Sequence, residues 1–212
     1  MRPIDMSELV AGAQWWRATT TWRKDFHNAD YRTLAAENPH GAFLDDWWAG
    51  FLPRLAAWKA LRPVPHSEVT ARLLDNREDL AAAWHQVCVP VRDDDIAAVT
   101  WGQVRGFPEI VARLKPTQSR SPVFASKFCH FLLPRIFPVV DSWAVSGAGT
   151  YEGYFTLIKE TWEATPVDLQ TRLIAGLTCL VEDGGDTLFR GFPYATKITE
   201  LALIGRKHAR RA

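Results

Sequence analysis

The sequence predicts an all-α fold, and three observations carry that expectation. Apolar residues recur at helical spacing along most of the chain, strand-like alternation is scarce, and cap residues, prolines and glycines divide the chain into helix-length segments. With 212 residues, 47% of them hydrophobic and 23% charged, the chain has the make-up of an ordinary folded protein. It shows neither an internal repeat nor a low-complexity linker, so it reads as a single compact domain over residues 1–212. If it divides, it divides into a tryptophan-rich lobe over about 1–100 and a second lobe over about 101–212.

The elements follow in order. "SELVAGAQWWRATTTWRKDF" holds one helix or two, with Trp15 and Trp22 a heptad apart, and "NPHGAF" breaks it. "LDDWWAGFLPRLAAWKALRP" is an apolar helix that Pro53 should interrupt and Pro63 should stop. In "HSEVTARLLDNREDLAAAWHQV", Ser67 is the expected N-cap and Val69, Leu73, Leu80 and Trp84 the buried face, with a break at "LDNRED". Asp93, Asp94 and Asp95 read as a helix-start cap, because consecutive helical residues diverge too far to hold one metal ion. "PEIVARL" is a short helix before a polar, basic connection. "EGYFTLIKETWEATP" and "VDLQTRLIAGLTCLVEDGG" are amphipathic helices stopped at Pro166 and Gly184, and "PYATKITELALIGRKHARRA" is a last helix with a basic tail.

Composition narrows the function classes. The ten tryptophans point first to a core built on large aromatic plates. A net charge of +1 excludes an indiscriminate polycation, although residues 101–212 carry 14 Lys and Arg against 10 Asp and Glu, whereas residues 1–100 carry 11 against 14. Cys88, Cys129 and Cys179 are widely spaced among apolar neighbours and read as reduced core residues of a cytosolic protein. The six histidines form no HxxxH or HxH pair, so no metal site is expected. No stretch approaches eighteen apolar residues, and no GxSxG elbow occurs.

The stretch "SKFCHFLLPRIFPVVDSW", residues 126 to 143, concentrates the chemistry. Ser121 followed by Pro122 opens a helix expected to run to Leu133. Phe124, Phe128 and Phe131 share one face of it, and Lys127 sits at the rim beside Phe131. Lys127 to Pro134 climbs roughly 10 Å. The return "RIFPVVD" can span up to roughly 23 Å, enough to double back and set Asp141 near Lys127 as the cap of the next helix.

This arrangement resembles the active-site segment of the helix-hairpin-helix DNA glycosylases, in which a lysine-bearing helix is followed by a "PVD" return whose aspartate heads the next helix. The resemblance covers about residues 105–145 and rests on Lys127 and "FPVVD". It implies an orthogonal all-α bundle, duplex DNA as partner, extrusion of a damaged or modified base, and catalysis without metal or organic cofactor. Lys127 would be the amine nucleophile, giving a Schiff base, and Asp141 would stabilise positive charge on the sugar. In place of the family's glycine-rich "LPGVG" hairpin this chain has "LKPTQSRSP", and the separation of 14 between lysine and aspartate is shorter than the family's.

Around the motif, Arg113, Lys115, Ser119, Arg120 and Ser121 form a polar, basic approach to a helix start that suits a DNA phosphate. Trp101 and Trp143 flank the motif as candidates for stacking on an extruded base, and His130, one turn beyond Lys127, is a candidate proton relay. "RKHARR" at 206–211 reads mainly as a complement to a helix C-terminus. Two other readings stay open: a DNA-binding module of the same fold without chemistry, for example in bacterial defence, and a tryptophan-rich helical domain that binds protein.

Overall fold

The computed structural model describes residues 1–19, 25–37, 41–115, 121–140, 149–182, 185 and 187–209. Among them every regular element is helical: α1 Met6–Thr19, α2 Asn28–Ala36, α3 Asp45–Ala57, α4 His66–Asp75, α5 Arg77–Ala83, α6 Trp101–Val104, α7 Gly106–Leu114, α8 Val123–Leu132, α9 Tyr151–Glu163, α10 Val167–Glu182 and α11 Tyr194–Ala209. A single π turn, Trp84–Cys88, extends α5.

The two ends of this order meet. A β-carbon on Gly12 of α1 would lie 1.8 Å from the Leu201 carbonyl oxygen, and one on Gly205 of α11 would lie 2.1 Å from that of Glu8. The backbones of α1 and α11 therefore touch, and only glycine permits the approach. Beside this seam the buried Glu8 carboxylate accepts from Arg206 Nε at 2.8 Å, while the same guanidinium reaches the carbonyls of Arg2 and Pro3. Arg206 of the basic tail thus holds the N-terminal segment, and His208 stacks on Trp15 with ring centroids 4.4 Å apart.

α8 is the axis of the core. Phe124, Phe128, Cys129, His130, Phe131 and Leu132 are all buried, and Phe128 meets an aromatic cluster of Phe43, Trp47, Phe51 and Phe107. The helix runs from Val123 to Leu132, one residue inside each expected boundary; its N-cap position falls on Pro122, which offers no side-chain cap, so the expected Ser121 cap is corrected to a long contact of 3.5 Å from the Val123 amide to Ser121 Oγ just outside the helix. The described tryptophans are buried or half-buried, as a core role requires.

Several local expectations are corrected. Pro53 does not interrupt α3, which runs through it on the strength of buried Trp48, Phe51 and Leu55 on one face. α4 begins at His66 with Pro65 before it, whose carbonyl accepts from Glu68 and Val69, so Ser67 lies inside the helix and caps nothing. Cys179 is exposed rather than buried, since it lies on the outer side of α10, while Cys88 and Cys129 are in the core. The expected face of Val69, Leu73, Leu80 and Trp84 is buried throughout. Asp95 caps the turn at Ile96–Ala98 by accepting the Ala97 amide at 3.2 Å. No helix among the described residues is long and apolar enough to cross a membrane.

Candidate functional site

The proline return is fixed to the body of the protein at almost every residue. The Pro134 carbonyl accepts from Thr196 Oγ1 at 2.8 Å, that of Arg135 from the Ile96 amide at 2.9 Å, and that of Pro138 from the Tyr151 hydroxyl at 3.0 Å. The Phe137 carbonyl accepts from His130 Nδ1 at 2.6 Å. Val140 N then donates to Ser126 Oγ at 3.1 Å. By residue 140 the chain has come back alongside the residue next to Lys127, which is the doubling-back that the sequence allows. Asp141 lies outside the described residues.

His130 takes a different part from the expected relay. Its Nδ1 must carry the proton, because a carbonyl can only accept, and Nε2 then accepts from the Tyr31 hydroxyl at 2.7 Å. Burial, aided by the positive Lys197, holds its pKa well below the ordinary value. With both nitrogens occupied in the core, it works as a neutral pin for the return.

Lys127 lines a cavity of about 70 Å³ together with Trp16, His27, Trp58, Phe131, Val139, Lys197 and Glu200. Its ammonium donates to the Trp58 carbonyl. Of the three phenylalanines expected around it, only Phe131 lines this space. Phe128 is turned into the aromatic core, and the Phe124 ring faces Lys115 Nζ at 5.8 Å. The helical wheel groups the three rings, but the supporting walls of Lys127 come from distant helices: Trp16 from α1 and Trp58 from the end of α3.

The rest of the lining was not anticipated. Lys197 and Glu200, one turn apart on α11, form an ion pair of 2.7 Å with side chains only 1% and 5% exposed. The Lys197 ammonium also sits 5.4 Å from the centre of the Trp16 ring. Trp16 Nε1 is buried and finds no hydrogen-bond acceptor among the described residues. His27 bonds Asp30 at 3.1 Å and sets its ring edge against Trp16 and Phe131. Burial lowers its pKa, the Asp30 bond opposes this, and the Lys197 charge adds to it. "KITE" in an otherwise apolar helix is the sequence signal for the Lys197 and Glu200 pair, while nothing local marks Trp16 or Trp58.

The expected phosphate-binding residues do not gather as one surface. Lys115 is buried, its Nζ donating to the carbonyls of Ala60 and Arg62 at 2.8 Å each, and burial lowers its pKa. Arg113 faces Asp79 at 3.4 Å, with both side chains more than half exposed. Ser121 is exposed, just before the start of α8, with its Oγ 3.5 Å from the Val123 amide. Ser119 and Arg120 lie outside the described residues. Trp101 is half-buried and packs on Tyr151 and Phe155, which leaves it a core-edge residue, and Trp143 lies outside the described residues.

Among the described residues no group of three or more His, Cys, Asp or Glu side chains could hold a metal ion. What the cavity brings together is an amine on a rigid helix, flat rings on several sides, and a buried cation–anion pair. Such a set can surround a planar ring and present it to a nucleophilic nitrogen. Compared with known proteins, the chain matches no family model, no curated protein and no solved structure.

Proposed function

We propose that this chain is a DNA-binding, glycosylase-like protein that excises a damaged or modified base, with Lys127 as the nucleophile. One observation carries the reading: Lys127 and Val139, from the two arms of the proline return, line the same aromatic-walled cavity. The Val140–Ser126 bond fixes the arms at that spacing.

In the proposed reaction the Lys127 amine, after giving up a proton, attacks the sugar carbon of the extruded nucleotide. The nitrogen–carbon bond forms as the N-glycosidic bond breaks, the base departs with its electron pair and takes up a proton, and opening of the sugar ring gives the Schiff base. Asp141 is assigned the stabilisation of positive charge on the sugar by its place in the motif. The ring walls supply the stacking that an extruded base loses on leaving the duplex.

The test is borohydride trapping on duplexes carrying modified bases or abasic sites. A covalent adduct that maps to Lys127 and is lost in Lys127→Ala is the expected outcome. A substrate that is cleaved without ever forming an adduct rules out lysine attack. If Lys127→Ala weakens binding and no product forms with either protein, the chain is a binding module of this kind without chemistry.

A further inference from the structure

A second cavity, of about 300 Å³, opens between α2, the end of α8 with the first residues of the proline return, and the segment around Phe189. It shares only Phe131 with the lining of the Lys127 cavity. Its volume is twice the ~150 Å³ space that holds a benzene ring, and it lies at the lower end of the ~300–1,000 Å³ of small-molecule sites. Two fused rings therefore fit.

The walls are held by bonds within the protein. Pro134 and Arg135 are tied through their carbonyls to Thr196 and Ile96, and Tyr31 is tied to His130 at 2.7 Å. Across the cavity, the Asn28 side chain of α2 accepts from the Phe189 amide at 2.8 Å and donates to the Thr187 carbonyl at 3.0 Å. The Phe192 amide bonds the Phe189 carbonyl at 2.9 Å. The Phe189 ring folds back onto Gly191, where a β-carbon would lie 2.7 Å from it, so only glycine leaves the ring this place in the wall. Walls fixed in this way lose little conformational freedom when a ligand enters.

The lining divides by chemistry. Phe131, Leu132, Leu133, Ile136 and Phe189 are apolar, and the Tyr31 hydroxyl gives its proton to His130, so Tyr31 contributes its ring. The charges in the lining are Arg92, Asp93 and Arg135. Arg92 meets Asp93 at 3.3 Å with both side chains largely exposed, a pair that water screens. The guanidinium of half-buried Arg135 carries five donors and finds no hydrogen-bond or ion-pair partner among the described residues. Asp95 feels its charge, but that carboxylate is taken by the Ala97 amide. We propose that this cavity binds a small aromatic anion, with a flat body of up to two fused rings against the apolar wall and one carboxylate or phosphate held by Arg135 and Arg92. A guanidinium matches either group with paired N–H donors. The site uses neither Lys127 nor Asp141 and stands apart from the proposed function.

Isothermal titration of the full chain with naphthalene-2-carboxylate, 2-naphthyl phosphate and neutral 2-naphthol tests this. At least one of the two anions is expected to bind at a single saturable site, and the tighter of them tells carboxylate from phosphate. The neutral 2-naphthol should bind about tenfold more weakly, the factor that corresponds to one hydrogen bond to a charged group. Arg135→Met keeps the backbone carbonyl on Ile96 and should cost the anion about tenfold while leaving 2-naphthol unchanged. Ala35→Trp, at an exposed position of α2, should fill the cavity and abolish binding of every probe. Circular dichroism checks that both variants fold. The absence of saturable binding by any probe to the wild type overturns the proposal, as does 2-naphthol binding as tightly as the anions. Binding that survives in a folded Ala35→Trp, or an anion that binds a folded Arg135→Met as tightly as the wild type, overturns it too.

Discussion

α8 separates two aromatic regions that differ in one respect. On one side Phe128 packs with Phe43, Trp47, Phe51 and Phe107, and no ionisable side chain takes part in these ring contacts. On the other, Phe131 shares its space with Trp16 and Trp58, but also with Lys127, Lys197, Glu200 and His27. The first region is what ten tryptophans and eleven phenylalanines are expected to build. The second has the same rings and a charged lining that packing does not ask for, since an apolar replacement of a buried ion pair is often neutral or stabilising. Side by side, they separate rings that only pack on one another from rings that share their space with buried charges.

The sharpest way to break the contrast is to remove one large group from each side. Phe128→Ala should cost about 3–5 kcal/mol in a denaturant melt, as large core truncations do. Glu200→Ala should cost a similar ~3–5 kcal/mol, because it strands the Lys197 charge in an apolar wall. The two then diverge: replacing both partners, Lys197→Met with Glu200→Leu, should recover most of that loss. If the double variant is as unstable as the single one, the pair is structural and the contrast between the regions fails.

pH probes the same charged lining with a smaller effect. His27 and His130 both have pKa values lowered in the folded state, so below the unfolded value of about 6.5 the unfolded chain binds protons that the folded chain refuses. The stability they contribute is present above that pH and lost as pH falls through it. The melting temperature at pH 7.5 should exceed that at pH 5.5, and His27→Asn, whose side chain tolerates the left-handed φ of 71°, should reduce the difference. The smallest expected effect is at Lys59, which follows the end of α3 with a left-handed φ of 58°. Lys59→Gly removes the left-handed penalty and should stabilise the protein by about 0.5–1 kcal/mol in the same melt.

How much of this is legible in the sequence depends on the range of the interactions. The bounds of α8 to within one residue and the doubling-back through two prolines are local matters of periodicity and reach, and they agree with the structure. The contents of the cavity are not local. Lys115 reads as a surface cation because the chain does not reveal that the carbonyls of Ala60 and Arg62 await it 55 and 53 residues earlier. Lys197 and Glu200 stand one turn apart, a spacing that on an exposed helix face gives only a solvated pair. Neighbours distant in sequence, Trp16 and His27 among them, bury the pair. His130 reads as a relay by its position one turn beyond Lys127, yet Tyr31 and Phe137 occupy both its ring nitrogens in the core.

The glycine seam between α1 and α11 has a consequence for how the cavity comes into being. Trp16 is contributed by the first helix, and Lys197 and Glu200 by the last, so the walls on that side are assembled only when segments some 180 residues apart in sequence have closed on each other. During synthesis the lysine helix emerges long before its far wall does. A nascent or truncated chain lacking α11 would carry Lys127 without the enclosure around it, which ties any reactivity of that nitrogen to the arrival of the final helix.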